Sequence, residues 1–238
     1  MKPAAQRVTI ALDEGQAVSG LLQVPCEPRA CYVLAHGAGA GMAHPFMVAI
    51  ANGLAERGIA TFRYQFPYME QRSKRPDPPR LAHATVRAAI EEAARRLRDV
   101  PLFAGGKSFG GRMTSQAQAT SPLPAVRGLI FLGFPLHAAG RPSDERGAHL
   151  ADVRIPMLFL QGTRDALADL SLLKPLVDDL GERATLTLFQ DADHSFHVPA
   201  RSGMKDLEVM ARLVDALAAW IDTSMPGSPI NRPDKRLR

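Results

Sequence analysis

The sequence predicts a mainly parallel, doubly wound α/β sheet of about seven to eight strands, with helices on both faces. Three observations carry that expectation. Short apolar runs alternate along the chain with stretches of helical periodicity. Runs such as Cys31-Tyr32-Val33-Leu34-Ala35 are continuous, as in strands covered on both faces. The chemically suggestive residues His36, Tyr64, Ser108, Asp165 and His194 all fall at or just after the ends of such runs. In an open parallel sheet that places them on one edge, where ligands bind.

Residues 7–12 and 18–24 alternate enough to be two antiparallel strands, joined through Asp13-Glu14-Gly15. The run at 31–35 is the next strand and leads into His36-Gly37-Ala38-Gly39-Ala40-Gly41. Residues 45–57 read as a helix, with Met47, Ile50, Ala51 and Leu54 on one face and Gly58 as its stop. A strand over 59–64 follows, then a Pro- and Arg-rich loop over 65–80. Val86, Ile90, Ala93, Leu97 and Val100 mark a long helix. The strand at 101–105 and the helix at 108–120 flank a glycine-rich turn. Strands are expected at 128–133, 154–161 and 185–190. Leu170, Leu173, Val177 and Leu180 predict a helix that Pro175 breaks or restarts. Leu207, Met210, Val214, Leu217 and Ile221 mark the closing helix, 203–222.

With 238 residues, 46% of them hydrophobic, the chain suits one domain over 1–222. The formal charge is +5, of which residues 223–238 carry +3, leaving +2 on the body. That distribution argues against a nucleic-acid partner. The tail, with Pro226, Pro229 and Pro233 and no periodicity, is expected to be disordered. Cys26 and Cys31 cannot make a disulfide framework and have no metal-spaced partners, so free thiols are expected, with no metal and no cofactor. Residues 1–7 hold no apolar signal core, and no apolar stretch reaches about 18 residues. The expectation is a cytoplasmic protein with no membrane partner; oligomeric state is not legible.

Gly106-Lys107-Ser108-Phe109-Gly110 reads as G-x-S-x-G between a strand and a helix. A serine on so sharp a turn is strained, and the residues two before and two after it must lack bulk. A hydroxyl is a poor nucleophile at neutral pH. It needs an imidazole to take its proton and a carboxylate to fix the imidazole's tautomer. Ser108, Asp165 and His194 supply these in order, each after a separate strand. His197 is the closest alternative base, with His137 and His149 further off; Asp169, Asp191 and Asp193 are alternative acids. Asp169 could instead cap the next helix. The N–H groups of Phe109 and Ala38 are the expected oxyanion donors, although the glycines at 37, 39 and 41 could serve only as a tight turn.

Four stretches carry a resemblance. They are His-Gly-Ala-Gly-Ala-Gly, Phe66-Pro67-Tyr68-Met69-Glu70 with its downstream Arg-Pro-Asp-Pro-Pro, Gly-Gly-Lys-Ser-Phe-Gly-Gly-Arg-Met, and Gly-Thr-Arg-Asp. The chain resembles an α/β-hydrolase over about residues 7–222. Within that superfamily it is similar to a compact dienelactone-hydrolase-like group. That group includes the hydrolase-like domains of a testis-expressed protein and of a chromatin acetyltransferase complex subunit. The resemblance implies a serine hydrolase. True dienelactone hydrolases place cysteine at the elbow, whereas this chain has Ser108, which weighs against a lactone substrate.

The leading expectation is therefore cleavage of a small carboxylic ester or thioester through an acyl-serine intermediate. The alternative is an idle hydrolase fold that serves as an interaction module. His36, Gly37, Gly39, Tyr64, Arg72 and Arg75 are candidate substrate-binding residues. Arg63, Arg72, Lys74, Arg75 and Arg80 oppose only Glu70 and Asp77 between 63 and 80. This loop either recognises an anionic group on the substrate or is ordinary solvated surface. Lys107 and Arg112 flank the serine and would add positive potential. The segment between the strands ending near 133 and starting near 154 is short, so little or no cap is expected.

Overall fold

The computed structural model describes residues 3–225. The expected tail falls outside the described residues from residue 226 onward. Strands β1 (Gln6–Ala11) and β2 (Ala17–Gln23) form the antiparallel pair that their alternation predicts. The remaining strands are β3 (Ala30–Ala35), β4 (Ile59–Tyr64), β5 (Leu102–Lys107), β6 (Val126–Leu132), β7 (Met157–Gly162) and β8 (Ala184–Phe189). These six run parallel, and β2 joins them antiparallel to β4. The eight strands make one sheet in the order β1-β2-β4-β3-β5-β6-β7-β8. The chain leaves β3 toward β4 on one side and returns to β5 on the other. Their carboxyl ends form the switch-point crevice of such sheets.

The helices are α1 (Pro45–Glu56), a short α2 (Pro67–Glu70), α3 (Pro79–Arg96), α4 (Phe109–Thr120), α5 (Leu170–Leu180) and α6 (Asp206–Thr223). Met47, Ile50 and Leu54 of α1 and Val209, Leu213 and Leu217 of α6 cover one face of the sheet. Val86, Ala89 and Ile90 of α3, Met113 and Ala117 of α4, and Leu173 and Val177 of α5 cover the other. Burying a large aliphatic side chain is worth about 1.5–3 kcal/mol, so these stripes hold the layers together. Cys31 lies in the interior, where burial pushes its thiol up to about 12, while Cys26 is exposed; both are free. No helix among the described residues is long and apolar enough to cross a membrane.

Three departures from the sequence reading have a visible physical cause. Helix α3 ends at Arg96, and Leu97 has left helical geometry with φ −123° and ψ 61°. Val100, although in phase with the stripe, lies in the turn before Pro101, which disfavours helix in its predecessor. Strand β7 begins at Met157 because Pro156 has no N–H to donate; its carbonyl accepts from Leu129 N at 2.8 Å. Helix α5 runs unbroken through Pro175. Asp169 caps it, accepting from Ser171 N at 2.8 Å, and its apolar stripe is anchored on the sheet, which offsets the missing bond. The 133–156 connection has one further feature that the sequence did not suggest: a 3-10 segment, Glu145–Asp152, packed against α4 and α5.

Candidate active site

Ser108 sits on the turn from β5 to α4 with φ 50° and ψ −115°, a conformation that costs an L-residue free energy. Its neighbours explain how the turn closes. A Cβ at Gly106 would lie 2.3 Å from Ala35 O, and one at Gly110 would lie 2.5 Å from His36 O. Neither position admits a side chain, so the G-x-S-x-G spacing is a packing requirement of this elbow.

The structure brings Ser108, Asp165 and His194 together. His194 Nε2 is 2.9 Å from Ser108 Oγ, and His194 Nδ1 is 2.7 Å from Asp165 Oδ2. With Nδ1–H donating to the carboxylate, Nε2 is left as acceptor for the serine hydroxyl. The Asp165 side chain is fully buried. Leu167 N donates to its Oδ1 at 2.8 Å and Gln161 Nε2 to its Oδ2 at 2.5 Å. Gln161 Oε1 in turn accepts from Phe134 N at 2.8 Å. Gln161 carries no functional signal in the sequence, being an interior strand residue in an otherwise apolar run.

The other candidates have different occupations. His197 pairs with Asp206 at 2.7 Å on the surface. His137 accepts from Asp169 N at 2.8 Å through Nε2, and His149 Nε2 is 2.7 Å from Ser115 Oγ. Asp193 Oδ1 accepts from Ser195 N at 2.7 Å and His197 N at 3.0 Å, which shapes the turn that presents His194. Asp191 holds that turn to Thr163 through its backbone N–H, at 2.8 Å.

Lys107 reaches away from the cleft, behind the histidine. Its Nζ donates to His194 O at 2.5 Å and lies 5.9 Å and 5.6 Å from the ring centroids of Phe46 and Phe196. Burial lowers its pKa to about 8, against the pull of Asp165 and Asp193. Its sequence position beside the serine was visible; its grip on the His194 turn was not.

The glycine loop is docked from behind. His36 is fully buried, its Nδ1–H donating to Gly37 O at 2.8 Å and its Nε2 accepting from Phe66 N at 3.1 Å. Burial holds its pKa down to about 4, so the imidazole is neutral at ordinary pH. Met42 N donates to Gln65 Oε1 at 2.8 Å, and Arg63 Nη1 donates to Met42 O at 3.1 Å. Gly37 is buried and Gly39 exposed with φ +76°, so the loop turns outward there. Ala38 then borders a cavity of about 400 Å³ together with Ser108 and Phe109.

The structure places four expected substrate contacts away from the cavity lining. Tyr64 is 1% exposed and belongs to the interior, because β4 is covered on both faces to its last residue. His36 supports the loop from beneath rather than lining the cavity. Arg72 and Arg75 are exposed, and the loop reaches the cavity through Pro76, Asp77 and Pro79 instead. The arginines that border it are Arg112 of α4 and Arg146 of the 3-10 segment. Arg146 had no signal in the sequence, since it lies in a stretch without periodicity. Among the described residues no cluster of three His, Cys, Asp or Glu is placed to hold a metal ion.

A mainly parallel sheet with a strained serine at the exit of a central strand, and acid and histidine at later strand ends, defines the class of α/β-hydrolase folds. Residues 28–222 match the family described as an alpha/beta hydrolase domain, and the chain belongs to that family. The solved structures it is similar to include a dienelactone hydrolase from Anabaena variabilis, at 19% identity and TM-score 0.73, covering 93% of this chain and 98% of that one. An alpha-beta serine hydrolase homologue from Coxiella burnetii matches at 20% identity and TM-score 0.73, covering 90% and 98%. A lidless α/β serine hydrolase from Xanthomonas campestris matches at 22% identity and TM-score 0.71, covering 95% and 97%. These likenesses are of fold.

Proposed function

We propose that this protein is a serine hydrolase that cleaves a small carboxylic ester or thioester through an acyl-serine intermediate. The observation that carries the reading is the continuous hydrogen-bonded path from Ser108 Oγ through His194 to Asp165, at 2.9 and 2.7 Å, opening on a cavity. As Oγ attacks the carbonyl carbon, its proton passes to His194 Nε2. Asp165 stabilises the imidazolium and stays ionised. The N–H groups of Phe109 and Ala38 receive the developing oxyanion. Collapse expels the leaving group, which takes the proton from Nε2. Water, deprotonated by the same histidine, then releases the acid and restores Ser108. The fold family and its esterase-like neighbours support a hydrolase; the ester or thioester bond is inferred from the site.

The test is covalent labelling by a fluorophosphonate probe. The wild type is expected to label at Ser108, and Ser108→Ala and heat-unfolded protein are not. A folded wild type that stays unlabelled and turns over no short-chain p-nitrophenyl ester would leave the interaction module as the better reading.

A further inference from the structure

Two arginines line the cavity, and among the described residues neither has a counter-ion. Arg112 lies one helical turn beyond the serine on α4, its backbone N–H donating to Ser108 O at 3.1 Å. Arg146 comes from the 3-10 segment packed against that helix. Both line the cavity of about 400 Å³ with Ser108, Ala38 and Phe109. Among the described residues neither guanidinium has a hydrogen bond or an ion pair, and Arg112 Nε is buried with no partner. They stand close enough to repel: burial, then Arg146, lowers the Arg112 pKa from its ordinary value. His83 and His149 are themselves pushed down, by burial first, with Arg112 adding to it and Arg87 adding at His83.

Asp77 is the one carboxylate that lines the cavity among the described residues. It is already engaged, accepting from Tyr68 N at 3.1 Å, and burial raises its pKa instead of an arginine lowering it. The remaining walls are apolar, with Met113, Leu167 and Pro135. A desolvated donor beside a like charge is unfavourable until an oxyanion arrives. The planar fork of arginine matches a carboxylate with two parallel hydrogen bonds.

We infer that Arg112 and Arg146 form an anion subsite that takes the carboxylate at the far end of a short acyl chain. The substrate class is then a monoester or monothioester of a dicarboxylic acid. One helical turn rises about 5.4 Å, which suits a diacid of about four to six carbons. This inference rests on Ser108 being the acyl acceptor. It moves recognition of negative charge from Arg72 and Arg75, which face solvent, to a pair the fold assembles.

The experiment compares two p-nitrophenyl esters of equal length, the hemiadipate and the hexanoate. The quantity read is the ratio of their kcat/KM values, anionic over neutral, in wild type, Arg146→Gln and Arg112→Gln/Arg146→Gln. The ratio is expected to fall at least about tenfold in the double variant, and to shrink with added salt in wild type. A ratio that stays within about twofold overturns the subsite. Where the double variant fails to fold, Arg146→Gln alone decides, by a fall or no fall in the same ratio. Titration calorimetry of adipate into Ser108→Ala gives a readout that needs no turnover. Saturable binding that the arginine substitutions abolish supports the subsite, and no binding overturns it. A wild type that hydrolyses neither ester yet binds adipate would sink the hydrolase reading and leave the anion site standing.

Discussion

The two sides of Ser108 are built on opposite principles. On the acid side, Asp165 accepts from Gln161, Leu167 and His194, and His194 is held from behind by Lys107. On the cleft side, Arg112 and Arg146 border open space, without a hydrogen-bond partner for either guanidinium among the described residues. A fully bonded network fixes geometry before substrate arrives, so no reorganisation is required during the reaction. An unsatisfied pair stores an attraction that only a ligand of the right charge relieves. On the proposed function, the first arrangement would serve the bond-breaking step and the second the choice of substrate. Substitutions on the acid side should therefore lower kcat for every substrate, and those on the cleft side should change which substrate is preferred.

The largest break in that comparison is Asp165→Asn. The amide would present an N–H to His194 Nδ1, favour the wrong tautomer, and leave Nε2 protonated. Hydrolysis of either p-nitrophenyl ester is expected to fall by about three to four orders of magnitude in kcat, with the circular dichroism spectrum kept. A fall of less than about tenfold would show that the carboxylate does not set the tautomer.

Lys107→Met sharpens the comparison. It removes the hydrogen bond to His194 O but keeps an unbranched apolar stem between Phe46 and Phe196. A displacement of the histidine near 1 Å can cost about a hundredfold in rate. The expected outcome is a drop of that order in kcat and in fluorophosphonate labelling rate, with KM little changed and no shift in the hemiadipate-to-hexanoate ratio. A changed ratio would mean the lysine acts on the cleft, and the two sides would not be separable.

The same division explains what was legible in the sequence. Elements and their order were readable because apolar runs, helical stripes and glycines are local signals. Ser108, Asp165 and His194 were readable because each follows a strand, and the topology alone carries strand ends to one edge. The environment of each side chain was not. Tyr64 ends a strand, yet whether a terminal residue faces solvent or core depends on what covers the sheet. Arg72 and Arg75 sit in the most basic loop, but charge density says nothing about direction, and the loop turns its prolines and Asp77 to the cavity. Arg146 enters through a 3-10 segment whose position is set by packing on α4. Pairings such as Gln161 with Asp165, or Lys107 with the His194 carbonyl, arise between distant positions and leave no periodic trace.

The smallest effect concerns the scaffold under the glycine loop, which belongs to neither side of the serine. His36 is buried and neutral, with both ring nitrogens bonded to backbone. Its pKa is about 4 in the fold against an ordinary value of 6.5. Between those values the unfolded chain binds a proton that the folded chain does not, so stability rises with pH across that window. The contribution is present above pH 6.5 and is lost as pH falls toward 4. From about pH 7.5 to about pH 5 the loss from this one group is about 2 kcal/mol. His36→Asn removes the titration, so the difference in urea unfolding free energy between those two pH values should shrink by that amount relative to wild type. His149 is lowered by similar causes and remains in both proteins, so it cancels in the comparison. If the pH dependence of the variant equals that of wild type, His36 accepts a proton without disturbing the loop. The rivet from β3 to Phe66 would then have to lie elsewhere, with Gln65 and its bond to Met42 N the next group to substitute.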